Sequence, residues 1–159
     1  MWKAYDELAW TEAWLEDPQG VEAEVATYHR LMEEHARRPI REVLHLGCGA
    51  GAHDRALKRY FSLTGVDLNN AMLRLARHAN PEVEYHQGDM RSVRLGRRFD
   101  AVVIPDSIDY MASRDDLAAT LTAIGLEDED VTALGDGLAG VGVARSVEAV
   151  KHPEADRLP

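Results

Sequence analysis

The spacing of apolar residues changes along the chain, and the change predicts where helices give way to strands. Apolar side chains recur at helical spacing in residues 2–16 and again from Val21 to Met32, which predicts two helices separated by a break at residues 17–20. Pro39 closes the second of them. Residues 1–39 are therefore expected to form an N-terminal helical cap.

Residues 40–122 alternate between short apolar runs and helical segments. Strands are predicted at residues 43–46, 63–66, 83–87 and 99–104, with helices at residues 52–61 and from Asn69 or Asn70 to Ala79. Alternating strands and helices predict an α/β fold with a doubly wound, mostly parallel sheet. In such a sheet the carboxyl ends of the strands share one edge, where ligands bind.

Composition narrows the class of protein without pointing to a function. The 159 residues are 45% hydrophobic and carry a formal net charge of −10, which is typical of a soluble domain and disfavours binding to nucleic acid. No apolar run approaches the roughly 20 residues that span a bilayer. The first residues lack a signal-peptide pattern, so a cytoplasmic protein without membrane contact is expected.

A glycine-rich turn follows the first predicted strand and is the strongest candidate for chemistry. It reads Leu46-Gly47-Cys48-Gly49-Ala50-Gly51, and a predicted helix follows it. Glycine admits positive φ and lets a ligand approach the backbone, and exposed N–H groups at a helix start favour an anionic group. The alternative is a tight strand-to-helix turn with no ligand.

Two acidic residues stand at the ends of the second and third predicted strands. Asp67 comes 20 residues after Gly47, the position at which a carboxylate accepts hydrogen bonds from ribose hydroxyls, although it could instead cap the next helix. Asp89 could accept a hydrogen bond from an adenine amino group while Met90 packs on the ring. Asp89 could equally be an ordinary loop residue.

Together these elements resemble the class I S-adenosylmethionine (SAM) dependent methyltransferases, with the SAM-binding core of the Rossmann-like type at residues 40–122. The similarity covers residues 1–122, and residues 86–99 are similar to methyltransferases that act on small molecules, including those that N-methylate amino sugars. The resemblance implies SAM as cofactor and a small-molecule acceptor, such as an amine. It assigns cofactor contacts to Tyr5, Leu46, Gly47, Cys48, Gly49, Gly51, Asp67, Leu68, Asp89, Met90 and Ile104.

Methylation of an amine requires a group that accepts its proton. The fourth predicted strand ends beside the reactive end of the cofactor, so residues 105–110 should border the acceptor. The candidate proton acceptors are Asp106, Asp109, Tyr110 and His86. No metal site is expected, because the histidines show no close ligand pairing with cysteine and no H-E-x-x-H pattern occurs. His45 is expected to be a core residue.

The tail departs from this family. A complete sheet of the type has seven strands, whereas four are recognised here, so the sheet is expected to be incomplete on its C-terminal side. Residues 115–159 instead resemble the N-terminal part of the phenylalanyl-tRNA synthetase β subunit, as in His152-Pro153-Glu154-Ala155-Asp156-Arg157-Leu158. Residues 123–159 thus form an atypical segment. The alternatives to an active methyltransferase are a non-catalytic SAM-binding domain and a chimeric fragment with a synthetase-like tail.

Overall fold

A computed structural model of the chain describes Thr11 and residues 17–125, and these contain a parallel four-stranded sheet. The strands are β1 (Glu42–Leu46), β2 (Ser62–Asp67), β3 (Glu84–Gln87) and β4 (Ala101–Val103). Their order across the sheet is β3-β2-β1-β4, and every pair is parallel. The predicted α/β fold with a parallel sheet is thereby confirmed.

Helices connect and flank the strands. They are α1 (Pro18–His35), α2 (Ala52–Leu57), α3 (Asn70–Ala79) and α4 (Arg114–Ala123), with a 3₁₀ turn at Ser107–Tyr110. A side chain that accepts a backbone N–H fixes the start of three of them: Asp17 for α1, Asn69 for α3 and Ser113 for α4. The expected cap of α3 at Asn69 or Asn70 is therefore Asn69.

Three predicted boundaries were wrong. Of the break predicted at residues 17–20, only Asp17 is extended; it caps α1, and residues 18–20 form the first turn of that helix, where Pro18 needs no backbone N–H. Helix α2 ends at Leu57 and not at residue 61, since the N–H groups of Arg59 and Tyr60 turn back to the carbonyls three residues earlier. Strand β4 spans only Ala101–Val103 within the predicted 99–104.

Alternate residues of the strands enter two apolar clusters, one on each face of the sheet. On the first face Val43 and Val103 pack with helical residues such as Val25, Leu57 and Leu73. On the second face Leu44, Leu46 and Val66 are covered by the connection between β3 and β4 and by Ile124, and the residues of that connection are Met90, Val93, Leu95 and Phe99. Period-two alternation thus buries both faces of the central strands.

Strand order fixes where a ligand can bind. The chain proceeds outward from β1 to β3 and then crosses back to β4 on the other side of β1. The winding of the chain therefore reverses at β1, and the carboxyl edge between the loops that follow β1 and β4, here called the crevice, is where a sheet of this kind binds ligands. Among the described residues, no helix has the length and apolar character required to cross a bilayer. Tyr5 and most of the atypical segment 123–159 lie outside the described residues.

Candidate functional site

The glycine-rich loop joins β1 to α2 at the carboxyl edge of the sheet. Gly47, Gly49 and Gly51 all have positive φ, at 70°, 52° and 83°. The N–H groups of Gly47 and Cys48 both donate to the carbonyl of Val66, at 2.7 and 3.0 Å, which ties the loop to β2. The path of the loop therefore requires residues that adopt the left-handed region without strain.

The three glycines differ in what surrounds them. A Cβ on Gly47 would collide with the Ser107 side chain, and a Cβ on Gly51 would lie 2.7 Å from the Asn80 amide nitrogen. Among the residues that the structure describes, no atom would lie within 4 Å of a Cβ on Gly49. Gly47 and Gly51 are thus required by packing within the protein, whereas Gly49 borders open space that a ligand can enter.

Asp67 ends β2 beside that open space. One carboxylate oxygen accepts the N–H of Gly49 at 2.9 Å, and the other accepts the N–H of Asn69 at 2.7 Å. Asp67 is half-buried, so these bonds hold the carboxylate at the edge of the glycine loop while further lone pairs remain. Leu68 follows with 65% of its surface exposed, an apolar side chain next to a fixed acid.

Asp89 is engaged by a neighbouring arginine. Its carboxylate accepts the backbone N–H of Arg91 at 2.9 Å and the guanidinium Nε–H at 3.0 Å, and the same guanidinium reaches Asp116 at 2.8 Å. The hydrogen bonds from Arg91 hold the pKa of Asp89 below its usual value. An adenine amino group would have to share this carboxylate with Arg91. Met90 is half-buried beside Gly47.

The chain after β4 turns sharply at Asp106. Its φ of 52° is the one positive value among the non-glycine residues that the structure describes. The next residue, Ser107, donates from its hydroxyl to the carbonyl of Leu46 at 3.0 Å, which fastens this turn to the end of β1. Asp106 consequently lies at the crevice between the loops that follow β1 and β4.

Asp106 meets two side chains that sequence reasoning did not connect with it. His53, in the first turn of α2, lies 2.9 Å from a carboxylate oxygen of Glu24 on α1, measured from Nε2. One ligand atom each of Glu24, His53 and Asp106 lies within 4.8 Å of the others. The three residues come from distant parts of the chain, so no local motif could have indicated the cluster.

The other proposed proton acceptors separate into two places. Asp109 and Tyr110 lie in the 3₁₀ turn after Asp106, and Asp109 lines an open groove of about 570 Å³ together with Arg114 and Leu117. His86 lies on β3, at the opposite edge of the sheet from β4, with Nε2 2.8 Å from a Glu84 carboxylate oxygen. The structure therefore groups Asp106, Asp109 and Tyr110 without His86.

A buried polar network lies beneath the glycine loop. His45 is 2% exposed and its Nδ1 lies 2.6 Å from one carboxylate oxygen of Asp54, while the Tyr85 hydroxyl donates to the other at 2.7 Å. Burial acts to raise the pKa of Asp54, but the charge and hydrogen bond of His45 outweigh it and hold that pKa low. His45 is thus the expected core histidine, with a partner that the sequence did not indicate.

The remaining cofactor candidates contribute backbone or packing. Leu46 and Cys48 are buried, and burial raises the pKa of the Cys48 thiol, which keeps it protonated and unreactive. Ile104 is half-buried in the apolar cluster on the second face. At this edge the Leu68 side chain is exposed and that of Asp67 is half-buried, whereas Leu46 and Cys48 are buried.

Comparison with known proteins identifies two separate similarities. A family profile described as a methyltransferase domain matches residues 43–125. The dTDP-3-amino-3,6-dideoxy-alpha-D-glucopyranose N,N-dimethyltransferase of Streptomyces fradiae is 38% identical over 100 residues, which are 62% of this chain and 39% of that enzyme. A SAM-bound amino pentose methyltransferase from Micromonospora echinaspora superimposes with a TM-score of 0.63 at 33% identity, over 66% of this chain and 45% of that chain.

The second similarity covers fewer residues, at a higher sequence identity. The phenylalanine–tRNA ligase beta subunit of Xanthomonas euvesicatoria is 69% identical over 51 residues, which are 32% of this chain and 6% of that subunit. The predicted resemblance to both families is thus confirmed. The chain spans less than half the length of these methyltransferase relatives and a small fraction of the ligase subunit.

Proposed function

Since the chain belongs to the methyltransferase domain family, we propose that it binds SAM at the carboxyl edge of its sheet and transfers the methyl group to an amine of a small molecule. The observation that carries this proposal is the pairing of Gly49 with Asp67. Gly49 borders open space, and its N–H is bonded to the Asp67 carboxylate at 2.9 Å. A cofactor entering beside Gly49 would therefore meet a fixed carboxylate that can accept ribose hydroxyls.

The strand order gives the cofactor a direction. With the ribose at Asp67 on β2, the adenine would lie on the β3 side, against Leu68 and Met90 and within reach of Asp89. The amino-acid part would lie over the glycine loop, next to the main chain of Gly49. The reacting end would then face the crevice between β1 and β4.

In this reaction the protein acts mainly by holding the two reactants in place. SAM, when bound, supplies a methyl group already activated by its sulfonium. The protein has to hold an amine in line with that group and exclude water. Asp106, Asp109 and Tyr110 border the crevice from the β4 side, and we propose that one of these oxygens accepts the proton that the amine loses. His86, on the far edge strand, is the weakest of the four candidates.

The class of acceptor is proposed from the relatives. The similar enzyme from Streptomyces fradiae is named for a nucleotide-linked amino sugar, and the similar solved structure is described as an amino pentose methyltransferase. An amino sugar carried on a nucleotide is therefore the acceptor to test first. The groove of about 570 Å³ that Asp109 lines offers space next to the proposed reacting end.

The test is a transfer assay with SAM labelled in its methyl group and dTDP-3-amino-3,6-dideoxy-α-D-glucose as acceptor. We expect a labelled sugar nucleotide, heavier by one methyl group, and an equal amount of S-adenosylhomocysteine. An Asp67→Ala variant is the matched control and should lose the product. Binding of SAM with no transfer to any amine would favour a non-catalytic SAM-binding domain.

A second candidate function is favoured by the similarity to the ligase subunit. The 69% identity over 51 residues supports association with a phenylalanyl-tRNA synthetase α subunit. The 6% coverage of that relative and the net charge of −10 argue against tRNA binding by this chain alone. Co-purification with a tagged synthetase α subunit, in the absence of SAM affinity, would favour this function over methyl transfer.

A further inference from the structure

Three ionisable side chains from three separate elements meet at the crevice between β1 and β4. Glu24 belongs to α1, His53 to the first turn of α2, and Asp106 to the turn after β4. His53 is bonded to Glu24 at 2.9 Å, and one ligand atom of each residue lies within 4.8 Å of the others. None of the three was connected with the others by the sequence.

Their position relative to the glycine loop is set by short connections. His53 is two residues past Gly51, and Asp106 precedes Ser107, whose hydroxyl is bonded to the Leu46 carbonyl at the start of the loop. Asp106 follows β4, which lies on the opposite side of β1 from β2 and β3, and the side chains of His53 and Glu24 lie beside Asp106. If the ribose lies at Asp67, the cluster therefore faces the opposite, reacting end of the cofactor.

The cluster has an excess of negative charge. Within the part of the chain that the structure describes, no ion pair joins a lysine or arginine to Glu24 or Asp106, and Glu24 pairs there with His53. The negative charge also acts on the neighbouring Tyr28. Burial, together with the charges of Glu24 and Asp106, raises the pKa of its hydroxyl to about 12. A positively charged ligand group would be stabilised here, and an anionic one repelled.

We propose that Glu24, His53 and Asp106 form the site that receives the amino group of the acceptor as an ammonium cation, and that one of the two carboxylates takes a proton from it, so that the neutral amine has the lone pair that attacks the methyl donor. The inference rests on the proposed function, since it is the bound cofactor that makes this cluster the acceptor side. The carboxylates of Glu24 and Asp106 select an amine over an alcohol, because an ammonium forms charge-assisted hydrogen bonds with both. His53 is held between the helices and orients Glu24 through the bond at Nε2.

Sinefungin tests the site without knowledge of the acceptor. It is an adenosyl compound in which a carbon bearing an ammonium group stands where SAM has its sulfonium methyl, whereas S-adenosylhomocysteine has nothing at this position. Both compounds should be titrated calorimetrically into the full chain and into Glu24→Gln and Asp106→Asn variants. Glu22→Gln is the matched control, because Glu22 is on the same helix but is paired with Arg59.

We expect the wild type to bind sinefungin about tenfold more tightly than S-adenosylhomocysteine, the ratio typical of a hydrogen bond to a charged group. Glu24→Gln and Asp106→Asn should each remove most of this preference, because each variant lacks one carboxylate that pairs with the ammonium of sinefungin. The affinity for S-adenosylhomocysteine, which has no ammonium at this position, should stay within about twofold of the wild type. Glu22→Gln should change neither affinity.

Two results would overturn the inference while leaving SAM binding intact: equal affinities of the wild type for both compounds, and a preference that persists in both variants. A preference that appears only with added Mn²⁺ and vanishes with EDTA would also overturn it, because the cluster would then be a metal site. Binding of neither compound would overturn this inference and the proposed function together.

Discussion

The side-chain amide of Asn80 donates a hydrogen bond of 2.9 Å to the main-chain carbonyl of Gly51. Asn80 is fully buried and stands at the C-terminal end of α3, while Gly51 immediately precedes α2. The bond therefore ties the last glycine of the loop to a helix on the first face of the sheet. The Asn80 amide nitrogen also lies 3.3 Å from the Tyr85 hydroxyl, which joins the loop to the buried His45–Asp54 pair.

Replacement of Asn80 by alanine should weaken both the fold and the ligand site. The Gly51 carbonyl would lose one of its two donors and keep the N–H of Arg55 at 3.2 Å, so we expect the free energy of unfolding to fall by about 0.5–1.5 kcal/mol, the contribution of one hydrogen bond. The affinity for S-adenosylhomocysteine should fall as the loop loosens. Urea unfolding and calorimetry measure the two effects, and Asn70→Ala, at an exposed position in the same helix, is the control. An unchanged affinity in a destabilised Asn80→Ala protein would contradict a role for this bond in shaping the site.

Gly49→Val should abolish SAM binding while leaving the circular dichroism spectrum largely intact. A Cβ at Gly49 would meet no atom of the described residues within 4 Å, so the valine side chain would occupy the space proposed for the ligand. Strain from the positive φ is a separate effect, of about 1–2 kcal/mol. Gly96→Val isolates that strain, because Gly96 also has positive φ and open surroundings but lies outside the loop. Normal SAM binding by Gly49→Val would make the loop a structural turn only.

Asp67→Ala should lower the affinity for SAM by roughly 1.5–3 kcal/mol, the range for hydrogen bonds to a charged group. Asp100→Ala is a close control, because the Asp100 carboxylate likewise accepts two backbone N–H groups, those of Arg41 and Glu42, at 3.0 Å each. It lies at the opposite, amino-terminal end of the strands. We expect Asp100→Ala to reduce stability without changing the dissociation constant. Equal losses of affinity in the two variants would show that Asp67 acts only through folding.

The loss of folding stability at acid pH should depend on Asp54. Its pKa is lower in the folded protein than in an unfolded chain, where aspartate titrates near about 3.9. The folded state then favours the ionised form, so this contribution is complete above about pH 5 and is lost as the pH falls through 4 and below. Asp54→Asn should be less stable at neutral pH and lose less stability on acidification. Parallel stability curves for the two proteins would contradict this linkage.

The fold and one half of the site could be predicted from the sequence because their signals are local. A strand, a glycine turn and a helix follow one another along the chain, and Asp67 stands at the end of the next strand, so periodicity and spacing were sufficient. The sequence shows the three glycines of the loop as one motif. In the structure, packing requires Gly47 and Gly51, whereas Gly49 borders open space among the described residues.

The cluster of Glu24, His53 and Asp106 depends on contacts that no local sequence pattern indicates. Glu24 looks like an ordinary exposed helix residue, and it meets His53 only because α1 packs beside α2. The buried bonds of Asp54 with His45 and Tyr85 likewise join three elements. The start of α1 could not be predicted for a different reason. Asp17 and Pro18 are residue types that can either interrupt a helix or begin one, so the sequence alone does not distinguish the two.

Deletion of residues 127–159 tests the atypical segment. From the sequence, residues 141–150 are expected to dock beside β4 in place of missing strands, although they lie outside the described residues. Within those residues β4 pairs only with β1, which leaves one edge of the sheet for such a partner. We expect the shortened protein to aggregate or to lose cooperative unfolding. A soluble product with the same melting temperature and SAM affinity would show that the segment is merely appended.

A crystal structure of the chain grown with saturating S-adenosylhomocysteine tests the central claim most directly. We expect density at the carboxyl edge of the sheet, with the ribose hydroxyls within hydrogen-bonding distance of the Asp67 carboxylate and the main chain of Gly49 against the ligand. The sulfur should point into the crevice between β1 and β4, toward Asp106. A ligand bound elsewhere, or an empty crevice at a concentration far above that of the protein, would contradict the assignment of this edge as the methyl-donor site.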